Sequence, residues 1–475
     1  MLSAVSIGIG GMVGGGIFAV LGLAVQLAAG GTYIAFAIAG FIAVLTSYSY
    51  ARLTSAFPSQ GGTVEFLNQA FGTGILTGGL NILLWFNYVI MLSLYAYAFG
   101  SYGSTYFSVD LQPLMKHLLT SAVIIVFTGL NISGSRAVGE AEEWIVGVKV
   151  GILLLFLIFG FGRLDLANLK PATWAPAFQL ITGGMIIFVA YEGFELIANT
   201  ASDIKNPERN IPRSYAIAAG FVILLYILIA VVALGVLPIP KIVEAKDYAL
   251  AAVAEPLLGS LGFTIITVAA LMSTASAINA TLYGASRVSY IIAKDGELPA
   301  SLERKIWNKP VEGLLITAGV TLAVANLFDL SSIATTGSAG FIIVFAAVNA
   351  ANFRLFRQTR SRRWLPLLGT AACFAALVML IAQTAMENPW KVAILAAILL
   401  MSFLIEIAYR RFSGRILKQV FPLEIRDSHL SNTDVPNVVW VNDGSGWFND
   451  GGQSLSASDS ARECRSDNNR CSLWR

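Results

Sequence analysis

Twelve long apolar blocks separated by short polar stretches fill most of this chain, at roughly 4–27, 32–57, 78–103, 118–134, 140–162, 177–202, 213–237, 262–293, 311–328, 330–353, 365–386 and 389–409. A helix needs about 20 apolar residues to cross roughly 30 Å of hydrocarbon. The pattern therefore predicts an all-α integral membrane protein of about twelve transmembrane helices, with ten as the firm minimum. The fourth block is short, and Asp329 blurs the boundary between the ninth and tenth. After about residue 412 the pattern stops. Residues 413–475 are rich in Ser, Asn, Asp and Gly with no sustained period, and such a segment cannot bury enough apolar surface to fold alone. A polar cytoplasmic tail, disordered or of aberrant sequence, is expected there; Trp440, Trp447 and Trp474 are unusual for the first alternative.

Composition agrees with the pattern. Of 475 residues 56% are hydrophobic and 12% charged, with mean hydropathy +0.71, whereas soluble domains carry about 25% charged residues. A net charge of +3 is too small to imply nucleic acid as a partner. Three cysteines and two histidines make no obvious metal cage or disulfide framework. The first apolar run is too long for a cleavable signal and is followed by many more. Placing both termini in the cytoplasm leaves fifteen Lys and Arg, from Arg52 to Arg363, on that side before the tail. It leaves six outside: Lys116, Arg163, Lys170, Lys241, Lys246 and Lys391. The positive-inside bias favours that orientation in the cell membrane.

Two blocks carry sequence that sits poorly in a plain helix. The first contains "GIGGMVGGGIF", residues 8–18. No strand precedes it, so a nucleotide-binding loop is a poor reading. Close helix packing of the GxxxG kind through Gly10 and Gly14 is one alternative, and an unwound helix with bare amides facing a ligand is another. The sixth block reads "GGMIIFVAYEGFELIANTASDIKNPERNIP" and places Glu192 and Glu195 in mid-membrane surroundings. An acidic residue at the centre of a lipid-facing helix costs about 2.5–3.5 kcal/mol, so such a helix is expected to line a cavity. Interrupted segments at matching places in two halves point to an inverted-repeat transporter with its site at the breaks. Free amides of Gly15, Gly16 and Ile17 would suit a carboxylate. Unpaired carbonyls around Phe188, Val189, Tyr191 and Glu192 would suit an ammonium group. Together these ends describe an α-amino acid.

At these residues the chain resembles the amino acid–polyamine–organocation superfamily, and most closely the proton-coupled, broad-specificity amino-acid permeases of the ApcT type. "SIGIGGMVGGGIF", "SYSYARL", "NILLWFNYVI", "NISGSRAVGEAE", "KNPERNIPR" and "SAINATLYGASRVSYIIAKDGELP" carry the resemblance, over about residues 1–412. It implies a LeuT-like 5+5 inverted-repeat core with discontinuous helices one and six. The repeats fall at about 1–162 and 177–353, with two extra helices at about 365–409. It implies substrate held at Gly14, Gly15, Gly16, Ile17, Phe188, Val189, Tyr191 and Glu192. Relatives carry a short polar segment before the first helix, so a truncated start is expected here. Glu192 departs from the apolar residue expected at its position; it either accepts from a cationic substrate or points into the vestibule. Glu195 matches an often acidic position, for which a gating or structural role is expected.

The fifth block, "EEWIVGVKVGILLLFLIFG", carries Lys149 near its centre. At 1.5 Å per residue Lys149 lies about 14 Å from the nearer end of the block, and its side chain reaches roughly 6 Å, too little to snorkel out. It is expected to face the protein interior. Burial penalises the ammonium form while neighbouring carbonyls stabilise it, a balance that can place titration near physiological pH, as a proton carrier requires. A permanently charged lysine holding helices together is the other reading. The resemblance implies the first: a lysine in place of a bound sodium ion, bridging a carbonyl and a hydroxyl that match Gly10 and Ser273. In that family setting the chain is expected to be a proton-coupled amino-acid uptake transporter working by alternating access. It would use the proton as coupling ion with no other cofactor, no enzymatic chemistry, and no partner besides substrate and lipid. An amino-acid or polyamine exchanger without net proton movement, and a transporter-like amino-acid sensor, remain as alternatives.

Overall fold

The computed structural model describes residues 1–59, 61–133, 137–294 and 311–413, together with 447–448 and 454–455; the side chains of 137–143 and a few others lie outside the description. Helices follow the apolar blocks, with the short α3 between the second and third: α1 (Leu2–Ala28), α2 (Thr32–Ala56), α3 (Thr63–Phe71), α4 (Ile75–Ser104), α5 (Gln112–Ser133), α6 (Ala137–Phe161) and α7 (Ala177–Ile186). A 3-10 segment, Ile187–Asp203, continues α7. Beyond it come α8 (Pro207–Val236), α9 (Ile239–Glu244), α10 (Ala249–Lys294), α11 (Val311–Leu327), α12 (Leu330–Arg354), α13 (Trp364–Glu387) and α14 (Pro389–Ser413). Eleven of the described helical stretches are long and apolar enough to span a membrane, and α11, with 17 residues, is the shorter twelfth. Residues Met1–Pro422 form one compact unit and Leu423–Arg475 a second. In the second, Trp447–Phe448 pairs antiparallel with Ser454–Leu455. The rest of the tail, where disorder or aberrant sequence is expected, lies outside the described residues.

Helix α1 sits at the centre, packed against the 3-10 segment, α10, α8, α4 and α6. Its glycines make this possible. A Cβ at Gly11 would lie 2.8 Å from the Gly193 carbonyl oxygen, and one at Gly16 would lie 2.8 Å from the Ala190 oxygen. Seen from the other side, a Cβ on Gly193 would overlap the Gly11 backbone. Gly14 faces Ala277 of α10 and Gly15 faces the Tyr95 ring of α4. The structure thus differs from the expected first break: α1 is helical without interruption from Leu2 to Ala28. The close-packing alternative accounts for its glycines, which bring neighbouring helices within backbone contact.

The sixth span is interrupted, but by a change of winding at Ile187 and not by unwinding. A 3-10 run of 17 residues is unusual, since its hydrogen bonds are poorer than those of an α-helix. The junction is held by Ser338 of α12. Its hydroxyl donates to Ile186 O (2.6 Å) and accepts from Val189 N–H (3.0 Å), so it serves both backbone groups at the change of winding. Other helix ends follow local rules. Pro207 opens α8 at its first turn, and α10 bends at Gly259, whose φ of 65° suits glycine.

Asp329, which blurs the ninth and tenth blocks in the sequence, occupies the N-cap position of α12 and accepts from Ser332 Oγ at 2.5 Å. Burial pushes its carboxyl up. The Ser332 bond and the Lys391 charge outweigh that and hold it below the usual carboxylate range. A carboxylate lowered in the folded state stabilises it above the ordinary pKa of about 3.9, and the contribution is lost as pH falls through the lowered value. Asp329→Asn is therefore expected to melt below wild type at pH 7, with the gap closing in acid, as followed by tryptophan fluorescence in detergent. The glycine crossing gives a second expectation. Gly193→Ala should cost about 3 kcal/mol, at the upper end of overpacking, because backbone has to move. Gly147→Ala on α6, where nothing lies within 4 Å of the added Cβ, should instead gain up to about 1 kcal/mol of helix propensity. Equal melting of the two variants would contradict the crossing.

Candidate functional site

Helix α6 shows how Lys149 comes to be inside. Val146, Lys149, Leu153, Phe156 and Leu157 are buried at spacings of three and four, while Trp144, Val148, Leu155 and Ile158 are exposed. Helical periodicity puts the lysine on the buried stripe. It is 0% exposed, and its Nζ donates to Gly10 O of α1 at 3.0 Å. Ser273 of α10 donates to Val13 O at 2.5 Å. The expected lysine–carbonyl tie is thus present, and the serine that the resemblance pairs with it grips α1 three residues further along.

Two more donors reach the same helix. Tyr226 of α8 donates to Met12 O at 2.6 Å and lies 3.4 Å from Ala190 O, while Tyr102 of α4 donates to Phe18 O at 3.1 Å. Carbonyls of Gly10, Met12, Val13 and Phe18 therefore accept from α6, α8, α10 and α4 in turn. A carbonyl has two lone pairs, so each can serve a neighbouring helix while the α1 ladder stays intact.

The 3-10 segment presents three faces, because residues three apart eclipse at three residues per turn. Ala190, Gly193 and Leu196 meet α1. Phe188, Tyr191, Phe194 and Ile197 are wholly buried: Phe188 packs edge-on against Phe345, 5.9 Å between centroids, and Tyr191 donates to Phe36 O at 3.1 Å. Val189, Glu192 and Glu195 form the third face. Tyr95 OH donates to Glu192 Oε1 at 3.0 Å and Tyr50 OH to Glu195 Oε2 at 3.3 Å, with Tyr50 also bonded to Thr63 of α3 at 2.8 Å. Tyr88 adjoins Glu195.

Among the expected substrate residues, the structure gathers Gly15, Gly16 and Glu192 around Tyr95 and Ala190, with Val189 one turn away. Gly14 turns to α10, Ile17 is fully buried in the apolar core, and the Phe188 and Tyr191 side chains occupy a different face. Tyr226, Tyr50 and Tyr102 were not singled out from the sequence. For α4 a signal exists: Tyr88, Tyr95 and Tyr102 recur every seven residues, close to two turns, and so line one face. Tyr226 and Tyr50 have no comparable mark, since each matters only through the helix it meets.

The α1 carbonyl contacts are testable by single-atom deletion. Tyr226→Phe removes one buried hydroxyl and leaves the ring, and should lower stability by about 1 kcal/mol, read as a lower thermal midpoint in detergent. An unchanged midpoint would mean that this contact does not help to hold α1.

Sequence comparison agrees with this architecture. The pattern of the family described as "Amino acid permease" matches residues 1–408. An uncharacterized protein of Methanocaldococcus jannaschii is 34% identical over 413 residues, covering 87% of this chain and 95% of its own length. The inner membrane transport protein YbaT of Escherichia coli is 32% identical over 410 residues, covering 86% and 95%. The methylthioribose transporter of Bacillus subtilis is 26% identical over 369 residues, covering 73% and 78%. With its helices long enough to cross a bilayer many times and this match along nearly the whole membrane unit, the chain belongs to the amino acid permease family of the amino acid–polyamine–organocation superfamily, as a multi-pass membrane transporter.

Proposed function

We propose that this permease takes up amino acids across the cell membrane by alternating access, coupled to protons through Lys149. The observation that carries the reading is the wholly buried Lys149, whose Nζ lies 3.0 Å from the Gly10 carbonyl oxygen of the central helix. Protonated, the lysine supplies a positive charge and up to three donors between α6 and α1. It acts there as a bound cation would, while Ser273 anchors α10 to the same helix. Deprotonation removes the charge and weakens the tie, so α6 and α1 can separate. No metal or organic cofactor enters this scheme; the coupling ion is the proton. The N-terminus and the tail after residue 412 lie in the cytoplasm in this reading, following the distribution of Lys and Arg.

Substrate is placed where α1 crosses the 3-10 segment, beside Gly15, Gly16, Tyr95 and Glu192. Gly14, Ile17, Phe188, Val189 and Tyr191 shape the backbone around that point. Because α1 is wound without a break, substrate entry in this scheme requires the crossing to open, where Gly11 meets the Gly193 backbone and the Leu196 side chain and Gly16 meets the Ala190 backbone. That makes the crossing the place at which two arrangements can exchange.

Uptake of labelled alanine by purified protein in liposomes, with and without an inward proton gradient, tests the reading. Wild type should accumulate alanine when the gradient is imposed, and Lys149→Ala should lose gradient-driven accumulation. Accumulation that ignores pH, or a Lys149→Ala protein that still follows the gradient, would overturn the role of the lysine. Exchange only against internal amino acid would identify an antiporter, and binding without flux a sensor.

A further inference from the structure

Five arginines stand close together where α12 hands over to α13, in the stretch "RLFRQTRSRR", residues 354–363. All five are exposed, and the chain has no acidic residue between Asp329 and Glu387. Among the described residues the ion pairs are Lys116–Asp247 and Arg410–Glu406, so none of these arginines is in one. Aromatic rings support them instead. The Arg363 guanidinium lies 4.8 Å from the Phe353 ring centre and 5.3 Å from that of Phe356, and Arg357 lies 5.8 Å from the Phe356 centre. A ring face steadies a guanidinium without neutralising it and without using its N–H donors.

The loop that displays them is fixed. Thr359 Oγ1 donates to Asn352 Oδ1 at 2.8 Å, and Tyr48 OH of α2 accepts from Arg362 N–H at 2.9 Å. Ser361 N–H donates back to Phe356 O at 3.1 Å, the closure that ends a helical turn on a left-handed residue. That residue is Arg360, at φ 50°. Glycine fills such a position without strain, whereas a Cβ there crowds the backbone. Residues held against such strain cluster where their side chains clamp a ligand. An arginine at a glycine position, inside a cluster of unpaired arginines, marks a place that uses the charge.

Helices α12 and α13 are both long and apolar enough to span a membrane, so the short loop between them lies at one membrane face. Trp364, Leu367 and Leu368 follow at once on α13 and are 58%, 53% and 41% exposed. Tryptophan is enriched at the boundary between hydrocarbon and headgroups. We infer that Arg357, Arg360 and Arg363 form, beside Trp364, a binding site for the headgroup of an anionic phospholipid. Guanidinium groups meet phosphate oxygens bidentately, and clusters of about four to eight basic residues beside a span attract anionic headgroups. A zwitterionic headgroup carries the same phosphate, but its own ammonium cancels the charge. The apolar surface next to the arginines favours a lipid over a soluble phosphate, because acyl chains cover Leu367 and Leu368 while the headgroup meets the loop. Hydrogen bonds from this loop reach α2 and α12, so a bound headgroup stiffens the place where three helices meet. The site stands apart from the transport reading and does not depend on it.

Thermal unfolding of the full chain in detergent, with phosphatidylglycerol or phosphatidylcholine added, tests the site. Saturating phosphatidylglycerol should raise the wild-type midpoint by about 4 °C and phosphatidylcholine by no more than about 1 °C. Equal shifts from the two lipids would overturn the inference without any variant. Arg357→Gln combined with Arg363→Gln should need at least about tenfold more phosphatidylglycerol for half the shift. Lys205→Gln combined with Arg209→Gln, exposed basic residues beside the start of α8, removes the same charge elsewhere and should respond as wild type. Parallel loss in both pairs would mean diffuse attraction and no site. Arg360→Gly relieves the backbone while removing the side chain, so it should melt no lower than wild type without lipid, yet need about threefold more phosphatidylglycerol. An unchanged lipid response in that variant would overturn the assignment. The full shift produced by inorganic phosphate or glycerol phosphate alone would make the occupant a soluble anion, and would overturn it as well.

Discussion

Everything in the membrane unit is arranged around one close crossing, where α1 lies backbone to backbone on the 3-10 segment at Gly11 and Gly193. Without aqueous hydrophobic drive between helices, packing and interhelical hydrogen bonds hold such a bundle together, and both become strong only where backbones approach. The glycines provide the approach. Once neighbours are that near, side chains from four helices can reach α1 carbonyls, and they do so at Gly10, Met12, Val13 and Phe18. The central helix is thereby fixed by donors that belong to its neighbours.

That arrangement explains how a charge can sit in the middle of α6. An ammonium in hydrocarbon is expensive unless it faces the interior and finds acceptors. The buried stripe of α6 delivers Lys149 to α1, and the Gly10 carbonyl receives it. Tyr226 and Ser273 hold the adjoining residues of α1, so the lysine meets a helix whose position is already set. A tie of this kind couples the charge state of one side chain to the contact between two helices.

The 3-10 segment follows a complementary logic. Its tighter winding stacks residues three apart, separating an apolar face that packs on Phe345 and Phe36 from a polar face bearing Glu192 and Glu195. The winding changes where Ser338 can serve Ile186 and Val189 together. Tyrosines spaced along α4 meet the polar face from the opposite side. Carboxylates that would be costly on a lipid-facing helix are therefore enclosed by hydroxyls, and part of their bonding capacity is left open.

The approximate number of spans, the burial of Lys149 and the enclosed surroundings of the glycines and Glu192 were all legible in the sequence. Each follows from one-dimensional facts: block length against bilayer thickness, the reach of a lysine side chain, the lack of a Cβ, and the cost of an anion in hydrocarbon. The fate of the glycines was not legible, because GxGG-type stretches suit an unwound turn and a tight crossing equally until the opposing helix is known. Here the opposing residues are Gly193 and Ala190, small enough to close on a continuous α1. In the same way Asp329 blurred a boundary in the sequence and is an N-cap in space. Tyr226 and Ser338, which tie together elements more than 150 residues apart in the chain, carry no local mark at all. By itself the sequence determined what must be buried and roughly where along each helix. Only the tertiary structure decided which carbonyl, hydroxyl or carboxylate each buried group meets, since partners are set by helix–helix distance and winding, which no periodicity along the chain encodes.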